Sequence, residues 1–148
     1  MTLIKNNQVE TDSWHYQQDD EAPTANKSIV TLAYWLENKD TLITKSLILG
    51  ISVNGDTHID TVADELEHLS LVAITIPAFA DGRAYSLAKL LRQQQQFKGE
   101  IRAVGDVLPD QALYLTRVGF DALELADEGL AQLTLRKLSD FSGHYQTV

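Results

Sequence analysis

Three runs of nearly continuous apolar residues constrain the fold of this chain more than any other feature. They are Leu47 to Val53, Leu71 to Pro77 and Ile101 to Val104. A strand that is covered on both faces has a continuous apolar sequence, whereas a strand with one wet face alternates. Each run is followed by a segment with apolar residues at helical spacing. Because strands that alternate with helices build parallel sheets, the sequence predicts an α/β protein.

The number of strand–helix repeats limits the architecture further. Two more strands are predicted, at Ile29 to Leu32 and at Asp121 to Leu125, which gives about five repeats. A closed TIM-type barrel needs eight. We therefore predict a mainly parallel sheet of about five strands, open and doubly wound, with helices on its faces. The alternative is a partial barrel of the TIM type that a partner completes.

The first 27 residues are predicted to form an extension of this domain. Leu3 to Val9 alternates around an Asn-Asn pair that tolerates positive φ, so a short hairpin is expected there. The polar stretch from Glu10 to Lys27 is expected to be a covering arm. We therefore divide the chain into an N-terminal ribbon and polar arm, residues 1–27, and a single α/β domain, residues 28–148.

Trp14 and Tyr16 are large side chains within this polar arm. Such side chains gain free energy when they pack on another surface. That surface is either the domain's own body or a second subunit, and in the second case the protein is a homodimer.

The chain is acidic, with 21 aspartates and glutamates against 12 lysines and arginines and a formal net charge of −9. This charge repels nucleic acid and anionic lipid, so we expect neither as a partner. Two interpretations of the charge remain open. It either steers the protein toward a basic protein partner or keeps it in solution.

Several kinds of chemistry lack their usual residues in this sequence. There is no cysteine, which excludes a disulfide, a thiolate nucleophile and an iron–sulfur cluster held by this chain. There is no G-x-G-x-x-G and no G-x-x-x-x-G-K-[ST], the usual phosphate loops of nucleotide sites. His58, between two aspartates, is a weak candidate metal ligand, and we predict neither a metal nor a cofactor.

The beginning of the sequence gives no targeting signal. Residues 1–10 lack the apolar centre of a signal peptide, and no run approaches the roughly 20 apolar residues that span a membrane. We therefore expect a cytoplasmic protein without a membrane partner.

Polar residues follow the predicted strands at the edge where α/β proteins bind ligands. Asp81, Gly82 and Arg83 offer a carboxylate, a flexible residue and a guanidinium at the start of a helix, which suits an oxyanion pocket. The alternative is that Asp81 caps the helix, Gly82 takes a positive φ and Arg83 pairs with a carboxylate. Tyr85 and Ser86 would place hydroxyls over the same edge, but no histidine is near to activate the serine.

Carboxylates lie at the turns after the next two strands: Asp106 and Asp110 at the first, and Glu124, Asp127 and Glu128 at the second, where Asp127 is predicted to cap the final helix. They suit a hard cation or acid–base chemistry, or they are helix caps that stabilise by roughly 1 kcal/mol each. An ion pair between Arg83 and Asp106 or Glu124 is a third possibility. No catalytic residue is assigned, and the candidate anion or ligand site comprises Asp81, Gly82, Arg83, Tyr85, Ser86, Asp106, Asp110, Gln111 and Glu124.

The sequence motifs at these strand-to-helix turns resemble those of a bacterial family of unknown function, domain-of-unknown-function family 934. The matching motifs are F-A-D-G-R-A-Y-S at Phe79 to Ser86, G-E-I-R-A-V-G-D-V-L-P-D-Q at Gly99 to Gln111 and G-F-D-A-L-E-L at Gly119 to Leu125. L-I-K at Leu3 to Lys5 and D-S-W at Asp12 to Trp14 resemble the opening of the family, so the likeness covers nearly the whole chain.

The resemblance implies a role in sulfur assimilation, because members are usually encoded beside assimilatory sulfite reductase. The family is often described as an associated oxidoreductase or electron-transfer protein, and it brings no assigned catalytic residues. Many members have a cysteine where this chain has Val118, so a thiol mechanism at that point cannot operate here.

Two functional hypotheses follow. The first is an accessory protein, a protein- or anion-binding module that assists sulfite reductase or its electron donor. The second is a small enzyme that acts on an anionic substrate at the carboxyl ends of the strands. In that enzyme Arg83 would clamp the anion, and Asp81, Asp106 or Glu124 would serve as acid, base or cation ligand.

Overall fold

A computed structural model describes residues 1–18, 21–78 and 82–146, and this part contains eight strands and five α-helices. None of the described helices is long and apolar enough to span a bilayer. The strands are β1 Thr2–Lys5, β2 Gln8–Glu10, β3 His15–Tyr16, β4 Ser28–Thr31, β5 Leu49–Asn54, β6 Leu71–Ile76, β7 Glu100–Gly105 and β8 Ala122–Leu125. The helices are α1 Leu32–Lys45, α2 Ile59–Val62, α3 Arg83–Gln93, α4 Ala112–Val118 and α5 Glu128–Gln146, and short 3₁₀ helices, Ala63–His68 and Pro109–Gln111, follow α2 and precede α4.

All eight strands belong to one sheet, in the order β2-β1-β8-β7-β6-β5-β4-β3. The strands from β3 to β8 are parallel, and β1 and β2 are added antiparallel at one edge. The predictions of a mainly parallel sheet and of an N-terminal hairpin are confirmed. The predicted number of about five strands is wrong, because the short strands β1, β2 and β3 extend both edges. Runs of two to four residues are too short to show a reliable period.

The prediction of an open, doubly wound sheet is wrong as well. In a doubly wound sheet the strand order reverses, which sends helices to both faces. Here β4 to β8 follow one another in chain order, so that right-handed crossovers place their helices on one face. One core cluster accordingly contains side chains from all five helices. This arrangement is the one found in TIM-type barrels and fits the half-barrel shape of the predicted alternative.

The chain connectivity shows how strongly the sheet is curled. β2 and β3 form opposite edges of the sheet, yet residues 11–14 alone connect them. Five Cα–Cα steps, from Glu10 to His15, span at most about 19 Å. The edges of a flat sheet of this size would lie about 34 Å apart, at about 4.8 Å per strand. The sheet is therefore a half barrel, with the helices on its outer face and the connecting residues across its inner face.

The inner face has a small apolar cluster of its own. Ile29, Leu71 and Ala73 are buried there, and Trp14 and Val104 pack against them. The N-terminal arm thus covers the inside of the half barrel. This contact agrees with the interpretation in which Trp14 packs on the domain's own body.

Local signals in the sequence determine where the hairpin turns and where two of the helices begin. Asn6 and Asn7 have φ of 56° and 60° in the hairpin. The hydroxyl of Thr31 accepts a hydrogen bond from Tyr34 N at 3.1 Å and so caps α1. Asp127 caps α5 as predicted, by accepting a bond from Leu130 N at 2.8 Å.

Gly50 marks the place where the inner face is most crowded. It lies between Ile29 and Leu71 in the same row of the sheet. A Cβ at this position would lie 2.9 Å from both the Cβ and the carbonyl oxygen of Leu71. Side chains converge inside a small barrel, so large and small residues must alternate there.

We expect Gly50→Ala to lower the free energy of unfolding by about 1–3 kcal/mol, because the added methyl group would overpack the inner face. Urea denaturation measures the change. Gly129→Ala is the matched control, since a Cβ there would meet Asp127 Oδ1 alone, at 3.3 Å. Alanine in place of a helical glycine should stabilise the control by about 0.5–1 kcal/mol. If the two substitutions changed the free energy of unfolding equally, the inner face would not be crowded at Gly50.

Candidate functional site

A buried arginine holds several carboxylates together on the inner face. Arg102 of β7 is 1% exposed. Its Nε donates to Glu100 at 2.8 Å, and its Nη1 donates to Asp12 at 2.7 Å and to Glu124 at 3.2 Å. Its Nη2 donates to the second oxygen of Asp12 at 3.2 Å. We call Arg102, Glu100, Glu124 and Asp12 the inner cluster.

Small neighbours make room for this cluster. Ala73 and Ala122 flank Arg102 in the same row of the sheet. Because Ala122 is short, Lys5 reaches past β8 and donates to Glu100 at 2.7 Å. That hydrogen bond raises the pKa of Lys5 above its ordinary value.

Electrostatics keep the guanidinium of Arg102 charged and the hydroxyl of Tyr16 protonated. Burial lowers the pKa of the Arg102 guanidinium, but hydrogen bonding to Asp12 and the charge of Glu100 raise it by more. Tyr16 donates a hydrogen bond to Glu124, and its pKa is raised by burial and by that bond. Since each guanidinium nitrogen already donates to a carboxylate, the cluster binds the arm to the sheet and leaves Arg102 poorly placed to bind a ligand.

A second group of polar residues lines an open cavity at the carboxyl ends of β4, β5 and β6. The cavity has a volume of about 390 Å³. Apolar residues of the first two turns of α1 form one wall. Hydroxyl and amide side chains form the rest, and we call this space the rim cavity: its polar lining is Thr31, Ser52, Asn54, Thr57 and Thr75.

The polar residues of the rim cavity occupy inward positions of buried strands. Ser52 and Thr75 alternate with Ile51, Val53 and Ile74, which belong to the core on the outer face. In TIM-type folds, ligands are bound at this end of the strands. Polar side chains here, in strands that are otherwise apolar, are therefore candidates for binding a ligand.

The rim cavity offers hydrogen-bond donors without a neighbouring negative charge. No described residue in its lining is charged. The side chains of Ser52, Asn54 and Thr75 form no hydrogen bond with another residue in the part of the chain that the structure describes. The first residues of α1, Leu32 and Ala33, lie in the same wall. The cavity suits a small ligand with several acceptor oxygens.

The predicted residues at the start of α3 lie beside this cavity. A Cβ on Gly55 would come within 2.8 Å of the Cβ of Ala84 and of the carbonyl oxygen of Thr75. The turn after β5 therefore packs on the first turn of α3, which begins at Arg83. Gly82 has a φ of 90°, the positive value expected in the capping interpretation.

Tyr85 and Asp106 meet at the next position along the rim. Asp106 follows β7, and its N–H donates to the carbonyl of Ile76 at 2.9 Å. The ring of Tyr85 contacts that of Tyr114 edge-on, with centroids 5.2 Å apart. Burial, followed by the proximity of Tyr114 and Asp106, raises the pKa of Tyr85, so its hydroxyl stays protonated. Ser86 lies exposed on the same first turn of α3.

The other predicted site residues lie apart from the rim cavity. Asp110 pairs with Lys137 of α5 at 2.9 Å. Gln111 ends the 3₁₀ helix before α4, and its Oε1 is buried without a partner among the described residues. Glu124 lies within β8 and belongs to the inner cluster, because its strand position turns it inward. Asp81 lies outside the described residues.

Histidines contribute no metal site in the part that the structure describes. His58 caps α2 by accepting a hydrogen bond from Asp60 N at 3.2 Å. No group of three or more metal-ligating side chains occurs among the described residues. His15 Nε2 lies 2.8 Å from Ser28 Oγ, which donates to the carbonyl of Ala25. Because Ser28 already uses its proton, His15 is the donor in this pair and does not activate the serine.

Another cavity, of about 370 Å³, lies near the start of β8. Its charged side chains are already used in the fold. Arg92 donates to the carbonyls of Phe97 and Gly99, at 2.8 and 2.7 Å, and pairs with Asp121. Lys5 pairs with Glu100. The rim cavity, whose polar groups lack such partners, is the better candidate site.

Sequence reasoning missed the residues that line the rim cavity and the centre of the inner cluster. The signal was present as polar residues inside buried strands: serine in L-G-I-S-V, threonine in L-V-A-I-T-I and arginine in E-I-R-A-V. A polar side chain in such a strand must be either fully paired or functional. Arg102 is fully paired, whereas Ser52 and Thr75, which are half-buried, line the rim cavity without a partner among the described residues and are therefore candidates for a function.

Comparison with known proteins gives one match. The family model described as "Bacterial protein of unknown function (DUF934)" matches residues 50–148. This range contains Ser52, Asn54 and Thr75. It also contains the three long motifs that carry the resemblance to the family, so the match confirms that resemblance. No curated protein shows significant similarity to the chain.

Replacing Arg102 should destabilise the protein strongly. Arg102→Met leaves the buried carboxylate of Glu124 without a counter-charge and Glu100 with Lys5 alone, so we expect the free energy of unfolding to fall by about 3–5 kcal/mol. Asp12→Asn is a milder variant that keeps the fold and should cost about 1–3 kcal/mol. Lys89→Met, an exposed change on α3, should stay within about 0.5 kcal/mol. If chemical denaturation gave all three variants the same stability, the inner cluster would not hold the arm.

Proposed function

Because the chain belongs to the family of bacterial proteins of unknown function DUF934, whose name assigns no activity, we propose a function from the site itself. The protein is an accessory binding module of assimilatory sulfite reduction, and it holds a small oxyanion of the sulfite or sulfate type in the rim cavity. It assists sulfite reductase or its electron donor in the cytoplasm.

One observation carries the choice of ligand. The rim cavity is lined by Ser52, Asn54 and Thr75, whose side chains have no hydrogen-bond partner among the described residues, and none of its described lining is a carboxylate. Serine and threonine hydroxyls each donate one hydrogen bond, and an asparagine amide donates two. An oxyanion of sulfur accepts bonds at every oxygen, so it can use several of these donors together.

The net charge of the protein does not prevent this binding. A charge of −9 repels anions at long range, but salt screens exposed charges beyond about 10 Å at 0.1 M. Within the cavity, each hydrogen bond to a charged ligand contributes about 1.5–3 kcal/mol. Several such bonds outweigh a screened repulsion, so we expect moderate affinity that improves as salt is added.

The role in sulfite reduction rests on the family resemblance, because the members of that family are usually encoded beside assimilatory sulfite reductase. The match to the family is consistent with this role and names no partner. The location in the cytoplasm and the assistance to sulfite reductase or its donor are parts of the proposal.

A small enzyme that acts on the same anion is the second candidate. It is favoured by Tyr85 and Asp106, which lie together on the rim near Arg83. A tyrosine that stays protonated donates a hydrogen bond or a proton to a substrate oxygen. Consumption of sulfite, sulfate or adenylyl sulfate by the purified protein, lost in Tyr85→Phe, would favour this candidate.

The ligand proposal is tested by calorimetric titration and by thermal unfolding with sulfite and sulfate at constant ionic strength. Ligand at 100 times its dissociation constant should stabilise the protein by about 2.7 kcal/mol. The double variant Ser52→Ala, Thr75→Val removes two hydroxyls and should weaken binding by about 10- to 100-fold. Arg83→Ala should also weaken it, by a smaller factor.

Thr41→Val is the matched control, because Thr41 lies exposed on α1 away from the cavity. It should bind as the wild type does. Chloride at the same ionic strength should give no stabilisation. If sulfite, sulfate and chloride acted alike, or if the double variant bound normally, the oxyanion site would be refuted.

A further inference from the structure

The rim carries exposed apolar side chains beside Tyr85. Tyr114 is 54% exposed and Leu108 is 42% exposed. Tyr114 stacks edge-on against the half-buried Tyr85, so its ring is held in one orientation. We call Tyr85, Leu108 and Tyr114 the tyrosine patch.

Carboxylates surround the tyrosine patch. Asp106 lies two residues before Leu108 and close enough to Tyr85 to raise its pKa. Asp110 lies one helical turn before Tyr114, and its side chain is 83% exposed even while Lys137 pairs with it. Asp127 and Glu128, at the start of α5, are exposed at the same end of the sheet.

Helices begin at the carboxyl ends of the strands, where acidic residues complement their dipoles. Asp110 and Glu128 occupy first turns of this kind, in the 3₁₀ helix before α4 and in α5. Negative charge therefore lies on the α4–α5 side of the tyrosine patch. Lysines lie at the opposite end of the sheet, where Lys27 precedes β4, Lys45 ends α1 and Lys98 precedes β7.

We infer that the tyrosine patch is a docking surface for a protein partner that presents a basic surface with an apolar side chain at its centre. A rigid exposed tyrosine is the kind of side chain that dominates binding energy at protein interfaces. Carboxylates around it steer a positively charged partner and favour it over an acidic one. The patch lies on the α3–α4 side of the rim, and the rim cavity lies on the α1 side, so the two sites can be occupied independently.

The inference rests on the proposed function for the identity of its probe, sulfite reductase from the same bacterium. Binding of the purified proteins is measured by surface plasmon resonance and sedimentation at low and high salt. We expect affinity to fall at least tenfold when salt rises from about 0.02 M to about 0.3 M, since the Debye length shortens several-fold. Tyr114→Ser should weaken binding by about 10- to 30-fold, which is the range of a moderate hot spot.

Asp106→Asn and Asp110→Asn should each weaken binding by about 2- to 5-fold at low salt and flatten its salt dependence. Ile43→Ser and Asp40→Asn, exposed on α1, are the matched apolar and acidic controls and should leave binding unchanged. Thermal unfolding shows whether each variant keeps its fold. Leu108→Ser, in a loop, gives a second apolar test should Tyr114→Ser lose stability through its contact with Tyr85.

Each outcome of this experiment decides something. A complex that the patch variants do not weaken would overturn the docking surface and leave the partner of the proposed function in place. Absence of any complex would overturn both the docking surface and that partner, while the oxyanion site is judged separately by the Ser52→Ala, Thr75→Val variant. Salt-sensitive association of the protein with itself, weakened by Tyr114→Ser, would show that the basic end of a second copy occupies the patch and would overturn the inference of a different partner.

Discussion

The half barrel depends on the ion pairs of Arg102. A guanidinium that is removed from water must recover its lost hydration from carboxylates, and Arg102 does so with residues from three parts of the chain: Asp12 of the arm, Glu100 of its own strand and Glu124 of β8. Asp12 can reach the centre of the sheet only if the sheet curls toward it. The charge pairing and the curvature therefore require each other.

The curvature in turn decides where a ligand can bind. With the arm lying across the middle of the inner face, Trp14 fills the space over Ile29 and Leu71. Inward side chains remain accessible only toward the ends of the strands. The carboxyl end holds Ser52, Asn54 and Thr75, and the crossover helices begin at the same end. The six parallel strands of this chain thus form one open end of a partial barrel, because its own arm covers the side where further strands would lie.

The sequence predicted the repeat of strands and helices and the caps of the helices, because these depend on residues close together in the chain. The hairpin at Asn6-Asn7 and the cap at Asp127 are examples. It did not predict the strand order, since doubly wound sheets and half barrels share the same repeat and differ only in long-range pairing. The two-residue strand β3 was missed for the same reason. It is defined by its pairing with β4, and two residues are too few to show a pattern of alternating hydrophobicity. The division of the chain near residue 27 stays a prediction.

For the candidate site, the sequence predicted the carboxyl ends of the strands, where the rim cavity lies, but it did not predict the residues that line this cavity. Arg83 and Asp106 lie at the carboxyl ends of β6 and β7, as parallel neighbouring strands require. Glu124 was expected beside them, but an in-strand residue points to whichever face the pleat gives it, and a shift of one residue reverses that face. The inner cluster and the rim cavity use the same inward positions of the same sheet. What distinguishes them is whether the polar side chains already have partners: the carboxylates around Arg102 have theirs, whereas Ser52, Asn54 and Thr75 have none among the described residues. Pairing, more than polarity or position in the strand, therefore separates the residues that hold this fold together from the candidates for a functional role.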